Sequence, residues 1–111
     1  MNVNVSTIGN VTVIKLDGRI TIGSGDLQLR NTIQDAVDSG AKNILLNLSA
    51  VKAIDSSGTG ELVAAYTSAV NRGAKIKLCA LSQAISNILT LTQLITVFDV
   101  YESEQEALDS F

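Results

Sequence analysis

The chain has 111 residues, of which 46% are hydrophobic and 17% charged, enough apolar material for one packed core and too much for extended disorder. Its net charge of −3, with eight scattered Lys and Arg, excludes the concentrated basic surface that nucleic acid or an anionic membrane requires. With no histidine and one cysteine, Ser-His-Asp and Cys-His catalysis and ordinary zinc sites are excluded too, so no metal or cofactor is expected.

In chain order, Val3 and Val5 alternate with polar neighbours, and Val11, Val13 and Leu16 nearly do so. Ile8-Gly9-Asn10 separates the two runs as a turn, which predicts an N-terminal hairpin. Asp17-Gly18 reads as a break, and Arg19 to Ile22 as a short strand or a loop. From Ser24 the period changes: Leu29, Ile33, Ala36 and Val37 share a helical face, with Arg30, Gln34 and Asp38 opposite. Ser24 or Asp26 suits its start and Gly40 its end. Ile44 to Leu48 is apolar on both faces and too short for a helix, as in a central strand covered on each side.

A second helix is predicted from Asp55-Ser56-Ser57 to Gly73, carrying Leu62, Val63, Tyr66, Ala69 and Val70. Lys75 to Ala80 reads as a strand with Lys75 and Lys77 on a solvated face. Cys79 lies in that apolar run with no base to pair with, so it reads as an inert structural thiol suited to a reducing compartment. Ser82 caps a third helix with Ile85, Ile88 and Leu89, Val97 to Val100 is a short strand, and Ser103 with Glu106 forms a capping box for a last helix. Tyr66 and Tyr101 read as packing residues, and Glu102, Glu104 and Glu106 as charges that suit a helix N-terminus. No apolar stretch nears the roughly 20 residues of a membrane helix, and the N-terminus lacks a signal-peptide pattern, so a cytoplasmic location is expected. Alternating strands and helices behind a hairpin predict one α/β domain over residues 1–111, with a mixed sheet and right-handed crossovers.

The most unusual run is Ala53-Ile54-Asp55-Ser56-Ser57-Gly58-Thr59-Gly60-Glu61, after a buried strand and a short turn. The first turn of a helix has free N–H groups and positive potential, so hydroxyls there are exposed, and an added phosphate sits near donors. Gly58 and Gly60 remove bulk, which would let another protein approach the serines. Phosphorylation would add about −1.5 to −2 charges beside Asp55 and Glu61 and repel a partner that had bound there. The residues alone equally describe an ordinary N-cap, which is the commoner use of Asp and Ser at such a place. The Gly58-Thr59-Gly60 run lacks the spacing and lysine of a phosphate-binding loop, and there is no Gly-x-Ser-x-Gly elbow.

Over nearly its whole length the sequence resembles STAS domains of the anti-sigma factor antagonist group. The matching residues are Ile44 to Ser49, Val51, and above all Ile54-Asp55-Ser56-Ser57-Gly58-Thr59-Gly60-Glu61-Leu62. Gly73 to Leu78, Leu91 to Leu94 with Val97-Phe98, and Glu106-Ala107-Leu108 add to them. The resemblance implies a STAS-like sandwich with about four α-helices packed mainly on one face of the sheet. It also implies a non-enzymatic partner switch. The unphosphorylated domain binds an anti-sigma factor that is itself a serine kinase, which frees a sigma factor. The kinase then phosphorylates Ser57, or alternatively Ser56, and a phosphatase reverses the step. Asp55, Ser56, Ser57, Gly58, Thr59, Gly60, Glu61 and Thr21 would form the partner surface of a monomer or weak dimer. Two residues depart from the family pattern. Thr21 stands where an aspartate is common, and Thr59 where an apolar residue is, as a third acceptor or a packing change. They keep open a scaffold or adaptor role in a signalling or lipid-transport assembly. A nucleotide-binding role rests only on the glycines at 58 and 60.

Overall fold

The computed structural model describes all 111 residues. Strands β1 (Asn2–Ile8) and β2 (Val11–Ile20) form the expected hairpin, with seven consecutive antiparallel pairs from Asn2 opposite Asp17 to Ile8 opposite Val11. Helix α1 (Gly25–Asp38), β3 (Asn43–Ile54), α2 (Ser56–Asn71), β4 (Lys75–Cys79), α3 (Gln83–Leu91), β5 (Asp99–Tyr101) and α4 (Glu104–Asp109) follow. The five strands lie side by side in chain order, and all pairs after the first are parallel. When strand order never reverses, crossovers of one hand carry every connecting helix to the same face. Accordingly Leu29 and Ile33 of α1, Leu62 and Ala69 of α2, and Ile85 and Leu89 of α3 share one core with Ile14, Leu16, Ile44, Leu46, Leu48 and Leu78. Helix α4 alone covers the other face, where Ala107 meets Val11, Val13, Leu45 and Cys79.

Four local expectations change. Asp17-Gly18 does not break β2; the strand runs on to Ile20 through two register shifts against β3, and Gly18 takes φ of +127°, which favours glycine. Strand β3 extends well beyond Leu48, to Ile54. Its last third looks loop-like because β4 stops pairing at Asn47, so Ser49 and Lys52 reach solvent while β2 still pairs with Ala50, Val51, Ala53 and Ile54. The expected strand at Val97 to Val100 is only Asp99–Tyr101. Phe98 is instead a buried anchor, its ring edge-on to Tyr66 at 5.1 Å between centroids. Ser24 makes no side-chain cap, whereas Ser82 and Ser103 accept from the N–H groups of Ile85 and Glu106 at 3.2 and 3.1 Å.

Lys77 is the clearest departure. Lys75 is exposed as expected, but Lys77 is only 8% exposed. Its Nζ donates to the Ser110 carbonyl at 2.8 Å and hydroxyl at 2.9 Å, and lies 4.6 Å from the centre of the Phe111 ring. Alternation correctly places both lysines on one face, but whether that face is wet depends on where α4 and the residues after it lie. Under the same cover, burial pushes the Cys79 thiol up to about 11, which leaves little thiolate at neutral pH. Lys77→Ala is expected to lower the unfolding free energy by about 1–3 kcal/mol, through two lost hydrogen bonds and a lost buried stem. Lys75→Ala should change it by less than about 0.5 kcal/mol. Urea midpoints compare the two, and equal effects would return Lys77 to solvent.

Candidate functional site

Helix α2 begins directly where β3 ends, with no turn between them. Asp55 is its N-cap, in extended backbone, and its carboxylate serves two segments at once. Oδ1 accepts from the Gly58 N–H at 2.8 Å inside the helix, and Oδ2 accepts from the Ile22 N–H at 2.9 Å on the loop after β2. These two bonds, Ile22 first, hold the carboxyl below its usual range. The loop that carries Thr21 is thereby tied to the serine run. Thr21 is half-buried, and its carbonyl accepts from the Asp26 N–H at 3.1 Å, closing the turn into α1.

Ser56 is exposed and Ser57 half-buried on the first turn of α2. Thr59 is turned inward: it is 8% exposed and its hydroxyl donates to the carbonyls of Asp55 and Ser56 at 3.1 and 3.0 Å. Of the two readings of Thr59, packing of the helix start is the one this geometry fits. The glycines also divide. A Cβ on Gly58 would lie 2.0 Å from the Ile20 carbonyl oxygen and 2.8 Å from Ile54 Cγ1, so this glycine lets α2 touch β2 rather than a partner. Gly60 is exposed, with nothing within 4 Å of such a Cβ.

Glu61 is not a free acid beside the serines. Its carboxylate is gripped by both ends of the Arg30 guanidinium, Nε to Oε2 at 3.0 Å, which lowers the Glu61 pKa and raises that of Arg30. Three participants escaped the sequence reading. Arg30 showed only as a polar-face residue, and 31 positions separate it from Glu61. Gly25 is packed like Gly58, with a would-be Cβ 2.0 Å from the Arg19 carbonyl. Ile22 is 74% exposed beside Asp55, an apolar tip whose only signal was a lone isoleucine between Thr21 and Gly23.

Two hollows lie beside the helices rather than over the serines. One of about 250 Å³ between α1 and α2 is lined by Arg30, Ile33, Glu61 and Ala65, and a trough of about 600 Å³ runs between β1 and α1. Neither is lined by Asp55, Ser56 or Ser57. Because strand order does not reverse, the sheet has no switch-point crevice beside the serine run.

Two comparisons follow from this geometry. Gly58→Ala should cost about 2–3 kcal/mol of stability as backbone and Ile54 are forced apart, while Gly60→Ala should gain about 0.5–1 kcal/mol. Thermal and urea unfolding would show opposite signs. Asp55 has a depressed folded pKa, so its contribution is present above the unfolded value of about 3.9 and lost as pH falls through the folded one. The stability gap between the parent chain and Asp55→Asn should therefore be steady at neutral pH and close in acid. A gap unchanged down to the acid limit would dissociate the carboxylate from these bonds.

Comparison with known proteins reaches the same architecture. The STAS domain family model matches residues 2–107. A candidate anti-sigma factor antagonist from Thermotoga maritima is 22% identical with a TM-score of 0.89, over 97% of this chain and 92% of that one. The Bacillus cell fate determinant SpoIIAA in its phosphorylated form is 22% identical with a TM-score of 0.75, over 98% of each. A sulfate transporter family protein from Wolinella succinogenes is 18% identical with a TM-score of 0.74, over 91% of this chain and 84% of that one. These likenesses concern the fold. With a mixed sheet whose antiparallel edge precedes the parallel strands, three helices on one face, and a family match over almost every residue, the chain belongs to the STAS domain family.

Proposed function

We propose that this protein is an anti-sigma factor antagonist that works as a partner switch. Unphosphorylated, it binds an anti-sigma factor serine kinase and so releases a sigma factor. Phosphorylation of Ser57, with Ser56 the alternative, ends the binding, and a phosphatase restores it. The observation that carries this reading is the serine pair on the open first turn of α2, in a STAS fold, outside the lining of the hollow between α1 and α2 and of the trough beside β1. Thr21, Asp55, Ser56, Ser57 and Gly60 form the contact surface. Gly58 and Thr59 shape it from inside, and Glu61 acts through Arg30.

The electrostatics support release by charge. Asp55 already occupies the N–H groups of Gly58 and Ile22, so a phosphate on Ser57 arrives beside a carboxylate with those donors taken. A charge of about −1.5 to −2 is then turned outward to the partner rather than absorbed by the helix. A second reading, a scaffold or adaptor without the switch, is favoured by Thr21 in the place of an acid and by the fold shared with the sulfate transporter family protein.

Incubation with ATP and each anti-sigma factor kinase of the source organism, followed by mass analysis, should put one phosphate on Ser57. Its absence from both serines would remove the switch. Ser57→Asp should weaken kinase binding by about ten- to a hundredfold with the fold intact. Ser57→Ala should bind and not be released by ATP. A chain that purifies only within a fixed assembly and takes no phosphate would favour the scaffold.

A further inference from the structure

The two edges of the sheet are built differently. Strand β5 is three residues long and carries the exposed charge of Asp99, the usual protection of an edge against unwanted pairing. Strand β1 has none of the usual protections. It is seven residues long with six exposed, it contains no charged residue and no proline, and its unbroken register with β2 shows no bulge. Val5 is 55% and Ile8 45% exposed. Its outer side therefore presents a straight row of unpaired backbone donors and acceptors, flanked by β-branched side chains.

We propose that β1 is a homodimerisation edge, where two copies of the chain join antiparallel about a two-fold axis at Val5 into one continuous sheet. The occupant follows from the strand itself. Only a register with Val5 opposite its own counterpart pairs all seven residues, placing Val3 against Thr7, Asn4 against Ser6 and Asn2 against Ile8. A neutral strand meets a neutral strand, so no charge is buried unpaired. Val3, Val5 and Thr7 floor the trough beside α1, together with Ala36 and Ala41. Across the axis the two troughs become neighbours, and the valines form the cross-strand apolar pair that stabilises such ladders. Pairing β1 to the β5 edge of another copy would engage three residues at most and would leave free edges that propagate. The two-fold arrangement uses both long edges and closes. This surface is separate from the serine run and does not depend on the proposed switch.

Sedimentation equilibrium of the full chain over a wide concentration range tests it. The apparent mass should rise from one chain to two and stop there. Val5→Lys sets like charges face to face on the axis and should raise the dimer dissociation constant about tenfold or more. Ser6→Lys, on the opposite face of the strand, should act in the same direction. Leu91→Lys, at an 83% exposed position on α3, should leave it unchanged. Circular dichroism confirms folding, and if one edge variant fails to fold the other decides. A monomer at every concentration, a dimer indifferent to both edge variants, or open-ended growth would each overturn the proposal.

Discussion

Much of this structure depends on the close approach of two helices to the end of one strand. At Arg19 and Ile20 the backbone of β2 lies so near α1 and α2 that each helix presents a glycine, Gly25 and Gly58, where any Cβ would fall about 2.0 Å from a carbonyl oxygen. The Ile20 carbonyl also accepts the Asp55 N–H at 3.4 Å, so one peptide group anchors the end of β3 and the start of α2. Interiors are packed too tightly to absorb an added methyl here by local shifts. The sheet end, the loop with Thr21 and Ile22, and the serine run are thus positioned as one unit.

That unit explains the form of the site. Asp55 is the tie between its halves, with one carboxylate oxygen in the helix and the other on the loop. Arg30 and Glu61 provide a second tie between α1 and α2 one turn further along. Hydroxyls held on such a frame need no movement of the backbone to change what they present. A modification there would alter charge and bulk on a surface that is already ordered.

How far the sequence reveals this varies with the kind of signal. Helices and inner strands were legible because their apolar residues repeat with the right period: Leu29, Ile33 and Val37, or Ile44 to Leu48. The end of β3 was not, because once β4 drops away its residues alternate with solvent and read as loop. Lys77 was misjudged because its cover, Ser110 and Phe111, lies more than 30 positions away. At the site, the capping chemistry of Asp55 was readable from residue type and place. The inward roles of Gly58 and Thr59 were not, since neither a close backbone approach nor a turned hydroxyl leaves a trace in spacing.

The crowding at β2 also bears on how such a protein can diverge. Gly25 and Gly58 are held by the interior and have no latitude whatever partner is recognised. Ser56, Gly60 and Ile22 sit on the same few turns of chain but face open solvent. Duplicated copies could therefore exchange those outer residues freely while inheriting an identical frame. A cell with several such proteins could keep their signals apart by a handful of surface letters, with no new fold required.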